Sequence, residues 1–156
     1  EAKKSTLSIG DTYAGGIVFY LDGKGGGLVA APSDQSTGIQ WSSGYSDTGA
    51  TATGIGRGKA NTATIVSKLG AGNYAASLCA NLTLGGFKDW FLPSKDELDL
   101  MYKNLKKQGL GSFGEGWLWS SSQDYYSLAF TQRFSNGVQY NTDKNNGYAV
   151  RAVRAF

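Results

Sequence analysis

The segment Asp89-Trp90-Phe91-Leu92-Pro93-Ser94-Lys95-Asp96-Glu97-Leu98 changes from extended to helical at Pro93. Trp90-Phe91-Leu92 is a bulky apolar run, and the residue before a proline is steered away from helical backbone angles. Ser94 and Glu97 then form an S-x-x-E capping box, in which each side chain satisfies a free N–H at the start of a helix. Leu98, Met101, Tyr102 and Leu105 follow at i, i+3, i+4, i+7, the apolar stripe of a helix, and Gly109 supplies its stop. A strand running straight into a capped amphipathic helix is the clearest element of the chain.

Upstream, the same period appears twice more. Thr62, Ile65, Val66 and Leu69 form one stripe, and Ala75, Leu78, Cys79 and Leu82 another, separated by Gly70-Ala71-Gly72. Before them, Ile17-Val18-Phe19-Tyr20-Leu21 and Leu28-Val29-Ala30-Ala31 flank a glycine-rich turn and read as a hairpin buried on both faces. Residues 32–58 are Gly, Ser and Thr with few apolar anchors, Trp41 and Tyr45 among them. This is an ordered loop, because otherwise Trp41 would be stranded in water. Residues 1–10 read as a polar arm and 11–156 as one domain.

Downstream, the period falls to two. Trp117–Ser120, Leu128–Phe134, Val138–Asn141 and Tyr148–Ala155 read as strands, with Ser135-Asn136-Gly137 as a hairpin turn and Thr142–Gly147 as a polar connection. A strand hairpin, then helices, then more strands is an α+β order.

Composition removes much chemistry. The 156 residues contain no His and one Cys, so Ser-His-Asp and Cys-His catalysis, His-based zinc sites and an intrachain disulfide are all excluded. Fifteen Lys+Arg against 12 Asp+Glu gives a net charge of +3 without a basic cluster, which argues against a nucleic-acid partner. No stretch approaches the ~20 apolar residues of a membrane span, and Glu1-Ala2-Lys3-Lys4 does not read as a leader peptide. Gly is 23 of 156, about twice ordinary usage. The nine Tyr suit either a binding surface or a β-rich core.

The remaining motifs have structural accounts. Gly54-Ile55-Gly56-Arg57-Gly58-Lys59 lacks phosphate-loop spacing and reads as a turn entering a helix. Asp96, Glu97 and Asp99 sit in a first helical turn, where acidic groups favourably face the helix dipole. Cys79 falls on an apolar stripe and reads as core. Tyr125, Tyr126, Leu128, Phe130, Thr131, Arg133, Val138, Tyr140, Asn141, Thr142 and Asp143 mix rigid aromatics with adaptable polar groups, as paratopes do; an ordinary hairpin with one wet face has the same composition.

Several motifs together resemble a known family. They are Asp89–Leu98, Trp119-Ser120-Ser121-Ser122, Phe134-Ser135-Asn136-Gly137 and Val150-Arg151-Ala152-Val153-Arg154. Gly15–Tyr20 and Gly58–Thr62 fit upstream in the same order. The chain resembles the C-type-lectin-like domain at the C-terminus of Legionella collagen-like proteins, related in fold to formylglycine-generating enzymes and to the variable proteins of diversity-generating retroelements. The resemblance implies paired N- and C-terminal strands, two helices on the sheet (the periodicity gives three) and a long irregular second half displaying loops. The Pro-containing calcium loop of sugar-binding lectins and the Cys pair of formylglycine-generating enzymes are both missing. The expectation is therefore a non-catalytic domain with no cofactor and no metal, on a bacterial surface or phage particle, binding a protein or glycan through the eleven residues just named.

In retroelement-diversified relatives, mutagenesis at adenines of AAY codons varies the C-terminal strand-turn region. Residues 124–131, 133, 135, 138, 140–143 and 145–148 all belong to the set such codons can yield. Gln123, Gln132, Gln139 and Lys144 do not, and would be fixed scaffold or unrelated to the mechanism. Trp119, Phe134, Arg151 and Arg154 are also expected scaffold, the arginines pinning irregular loops by their carbonyls. The rivals are an invariant adhesin or structural module, and a hydrolase using carboxylates such as Asp89 and Asp96.

Overall fold

A computed structural model describes residues 6–156; residues 1–5 of the expected arm lie outside the described residues. Two sheets and three helices form an α+β domain. The strands are β1 (Thr12–Tyr13), β2 (Gly16–Leu21), β3 (Gly27–Ala30), β4 (Ser36–Ile39), β5 (Trp117–Tyr125), β6 (Leu128–Arg133), β7 (Gln139–Asp143), β8 (Tyr148–Val150) and β9 (Val153–Ala155). The helices are α1 (Gly58–Leu69), α2 (Ala75–Ala80) and α3 (Lys95–Asn104). One sheet has the order β1-β2-β3-β9, so the C-terminal strand joins the N-terminal hairpin; the other is β4-β8-β5-β6-β7.

The hairpin is buried on both faces, as its continuous apolar runs require. Val18 and Val29 join Ile65, Ala75 and Cys79 of α1 and α2 and the buried Trp41, Trp90 and Trp119. Phe19, Leu28 and Ala30 join Leu98 and Met101 of α3, with Leu118 and Phe134. Two apolar layers thus share one thin sheet, the burial pattern of a strand without a polar side.

The capping box is present at α3. Ser94 Oγ accepts from Glu97 N–H at 3.3 Å, and Glu97 Oε1 accepts from Ser94 N–H at 2.8 Å. Glu97 also reaches across to accept from Gly56 N–H at 2.9 Å and from Gly58, tying the start of α1 to the start of α3. Burial raises the Glu97 carboxyl above the ordinary range, and these N–H donors oppose the shift. Gly58 is required by that contact, since a Cβ there would lie 2.3 Å from Glu97 Oε1. Gly137, at φ +79°, closes the β6–β7 turn against the Tyr102 ring, where a Cβ would lie at 2.3 Å. The carboxyl end of α3 tightens at Leu105 into a 3-10 turn, Lys106–Gln108, and Gly109 ends that turn in the left-handed conformation.

Three features differ from the sequence reading. Residues 32–58 contain a strand, β4, in which Ser36 and Gly38 dilute the strand signal of Thr37 and Ile39. The strand opening at Trp117 runs on to Tyr125, past a bulge between Gln123 and Tyr125. The single strand expected over Tyr148–Ala155 is two. β8 pairs with β4 and β5, the chain passes through Arg151-Ala152, and β9 pairs with β3 in the other sheet.

Arg151 stands at that crossing with 1% of its surface exposed. Its Nε donates to Asp34 Oδ1 at 2.9 Å, Nη1 to the carbonyls of Ala31 and Gly111 at 3.0 and 2.6 Å, and Nη2 to Ser112 O at 3.1 Å. Its guanidinium carbon lies 3.9 Å from the Phe113 ring centroid. Burial lowers its pKa and the Asp34 carboxylate opposes this. Arg154 similarly joins Asp89 and the Ala14 carbonyl, over the Phe87 ring.

The loop after β4 is held by a second buried cation. Lys144 is fully buried, with Nζ donating to Ser46 O at 2.9 Å and Gln123 Oε1 at 2.8 Å, and 4.5 Å from the Trp41 ring centroid. Gln123 Oε1 also accepts from the N–H and hydroxyl of Thr48, and Trp41 donates its indole N–H to Ser120 O. The expectation that Trp41 orders this segment is met. Burial lowers the Lys144 amine to about 8, with Asp47 opposing.

Two predictions follow from the buried cations. Replacing Arg151 by Met leaves Asp34 and the three carbonyls without their donor, and should cost about 3–5 kcal/mol in urea unfolding. Lys144 holds its proton less tightly folded than unfolded, so between pH 8 and the ordinary lysine pKa the unfolded chain binds more protons. Wild-type stability, measured as the difference from Lys144→Met, should be flat below pH 8. It should then rise with pH, at a slope approaching ~1.4 kcal/mol per pH unit.

Candidate ligand-binding surface

β5, β6 and β7 form an antiparallel meander at one edge of the larger sheet, and their register sorts the expected site residues. Leu128 pairs with Asp143 and Phe130 with Asn141, while Gln132 pairs with Gln139. Partners across a ladder share a face, and successive residues alternate between faces. These pairs share the α3 side, where Gln132 Nε2 donates to Asp99 Oδ1 at 2.8 Å and Gln139 Nε2 to Lys95 O at 2.9 Å. Lys95 Nζ lies 4.5 Å from the centroid of the half-buried Phe130 ring. Asn141 is exposed and donates to Asp124 Oδ2 at 2.6 Å.

The other face carries Thr131 paired with Tyr140, and Arg133 paired with Trp117. The Trp117 ring lies 5.3 Å from Tyr140 and 6.0 Å from Tyr148, and the Arg133 guanidinium 5.8 Å from Trp117. The eleven residues therefore do not form one continuous face. Thr131, expected to offer a hydrogen bond to a ligand, is fully buried, and its hydroxyl donates to Tyr140 O. Thr142 pairs with the buried Ala129 and is half-buried. Val138 is exposed beside the Gly137 turn.

The β5–β6 turn is the most exposed aromatic part of the meander. Tyr125 and Tyr126 are 59% and 48% exposed, with ring centroids 4.6 Å apart. Near Asp143 stands Tyr45, a residue the sequence reading used only as a loop anchor. Its hydroxyl donates to Asp143, 2.9 Å from both carboxylate oxygens, and accepts from Asn145 Nδ2 at 2.8 Å. The hydrogen bond to Asp143 raises the Tyr45 pKa. The sequence signal was an aromatic residue in an otherwise Gly/Ser segment, without any indication of its partner 98 residues away.

The four residues outside the AAY-derived set all face inward. Gln123, Gln132 and Lys144 are buried, and Gln139 is half-buried and hydrogen-bonded at both the α3 and β6 sides. Trp119 and Phe134 are buried too. Among the described residues, no group of three or more Cys, Asp or Glu side chains is placed to hold a metal ion. Cys79 is buried, and burial pushes its thiol pKa up. Asp89 is engaged by Arg154.

Comparison with known proteins agrees with this architecture. No curated protein matches the chain. A crystal structure of a fimbrial protein from Bacteroides ovatus superposes with a TM-score of 0.54 at 12% sequence identity, over 81% of this chain and 35% of that one. The chain thus spans about a third of that protein's length, and at this identity the likeness concerns fold alone. The family described as the Lcl C-terminal domain matches residues 31–154, from the end of β3 into β9. The chain belongs to the Lcl C-terminal domain family.

Proposed function

We propose that this domain is a non-catalytic ligand-binding module of a bacterial surface structure or phage particle. Its recognition surface is the meander tip, and the side chains there are diversified by a retroelement. Tyr125 and Tyr126 are the anchors, with Phe130, Asn141 and Asp143 on the adjoining face and Tyr45 bracing Asp143. The observation carrying this reading is the sorting along the meander. The exposed positions carry residues that AAY codons can yield, as do the buried Ala129 and Thr131, whereas Gln123, Gln132, Gln139 and Lys144 are hydrogen-bonded inward. A face whose side chains vary needs anchors that do not, and these four supply them.

Rigid aromatic rings beside short polar groups provide contact area at small entropic cost, the chemistry of adaptable recognition. Family membership and the likeness in fold to a fimbrial protein support a surface setting. No helix among the described residues is long and apolar enough to cross a membrane. The ligand is a protein or glycan displayed by another cell or surface; nucleic acid is disfavoured by the small net charge.

Deep sequencing of the segment encoding Trp119 to Phe156 from a natural population tests diversification. Substitutions confined to AAY-derived positions, with the Gln, Lys and Trp codons constant, are expected. A uniform segment identifies an invariant adhesin instead. On arrays of surface proteins and glycans, the Tyr125→Ala/Tyr126→Ala double variant should lose the contacts of the wild type by about 2 kcal/mol or more. Its unfolding midpoint should stay nearly unchanged, because both rings are exposed.

A further inference from the structure

Away from the tip, the face of the meander that carries Trp117 opens into a cavity of about 370 Å³. Its walls include Trp117, Tyr148, Asp34, Thr37, Gly116 and Gly147. These residues come from three neighbouring strands and the backbone just before them: β5 and β8 are parallel, with Leu118 opposite Ala149, and β4 pairs with β8 through Ile39 and Tyr148. The cavity therefore sits where β5 and β8 both begin. Tyr148 is backed by the buried Trp119 ring at 4.9 Å, and Trp119 is fixed by its N–H bond to Ile39 O at 2.8 Å. The aromatic wall is preformed.

The geometry points to a binding site for one neutral pyranose ring, distinct from the tip. A pyranose has an apolar face of C–H bonds and a rim of hydroxyls, so it needs a flat aromatic wall with polar groups at its edge. Trp117 and Tyr148, with Tyr140 alongside, supply the wall, and Asp34 and the exposed Thr37 supply the edge. One oxygen of Asp34 is held by Arg151, which fixes the carboxylate and leaves Oδ2 able to accept from a sugar hydroxyl. Gly116 and Gly147 put no side chain into the space, and a Cβ at Gly116 would meet nothing within 4 Å. The volume falls at the small end of the range for small-molecule sites.

Charge selects among ligands of similar shape. An aromatic wall beside a carboxylate also suits a quaternary ammonium. Here the Trp117 ring already has the Arg133 guanidinium near it, and Asp34 is paired with Arg151, so a cation finds like charge at one side and a neutralised acid at the other. An anionic sugar finds no Lys or Arg among the lining residues, and Arg151 is committed to Asp34 and three carbonyls. The neutral ring is the occupant without a charge conflict.

The site is separate in space from the tip, although Gly147 and Tyr148 are among the AAY-derived residues, and its test needs no ligand of the tip. Saturation-transfer NMR is run on the intact domain with the methyl glycosides of glucose, galactose, mannose and N-acetylglucosamine, each at ~10 mM because a single stacked ring binds in the millimolar range. At least one glycoside should receive saturation, strongest on its ring C–H protons. Thr37→Trp, at an exposed strand position, should fill the cavity and reduce that signal at least tenfold with the thermal transition unchanged. Trp117→Leu should reduce it likewise. The proposal is overturned if no glycoside is saturated, if the signal survives Thr37→Trp, or if choline chloride is saturated more strongly than every glycoside.

Discussion

The guanidinium of Arg151 stands where the chain returns from the meander sheet to the hairpin sheet, and it also holds Ala31 and Asp34 on the outward passage from β3 to β4. β8 belongs to the meander sheet and β9 to the hairpin sheet, and only Arg151 and Ala152 lie between them. Backbone that changes sheets cannot keep a continuous ladder, so nearby carbonyls lose their strand partners and must find donors elsewhere. Arg151 provides a planar fork of donors for Ala31 at the end of β3, and for Gly111 and Ser112 before β5. A lysine in its place could not hold three carbonyls and a carboxylate in a fixed plane. The two sheets, the approach to β5 and the cavity edge at Asp34 all depend on this one side chain.

The same solution recurs wherever irregular backbone is buried. Glu97 accepts N–H groups from both Ser94 and the turn preceding α1, and Lys144 holds Ser46 and Gln123 beneath Trp41. Each of these ions is costly to bury, and each is surrounded by backbone partners that a hydrophobic replacement would leave unsatisfied. In a chain with 23 glycines and long Ser/Thr connections, apolar packing alone specifies the hairpin and helices but not the loops. Polar side chains of fixed geometry perform that second task.

This division explains what the sequence made legible. The capping box at Ser94 and Glu97, the three helical stripes and the both-faces-buried hairpin were readable because local periodicity reports local structure. β4 was not, since Ser36–Ile39 pairs with β8 only after the chain has folded, and Ser36 and Gly38 dilute the strand preference of Thr37 and Ile39. The split at Arg151 was hidden for a related reason. Tyr148–Ala155 reads as one run with no turn residue in it, and only the long-range partners β3, β4 and β5 decide that it is two strands. The candidate site residues are marked out by composition, which carries no information on the face each one occupies. Thr131 is of the same chemical type as its exposed neighbours, and only its place on β6 between the buried Trp119 of β5 and Tyr140 of β7 covers it.

A two-faced meander imposes a constraint on any surface that varies. Every substitution on one side of β6 or β7 has a neighbour on the other side one residue away, so variation is tolerated only if the sheet's position is fixed independently of the exposed residues. Gln132 and Gln139 do this toward α3, and Gln123 and Lys144 do it toward the Trp41 loop, through bonds to backbone, to one another and to Asp99, Asp47 and Thr48. None of those bonds involves Tyr125, Tyr126, Phe130 or Tyr140 side chains. The framework is consequently indifferent to what the exposed positions carry, the physical requirement for a surface that changes its ligand without changing its fold.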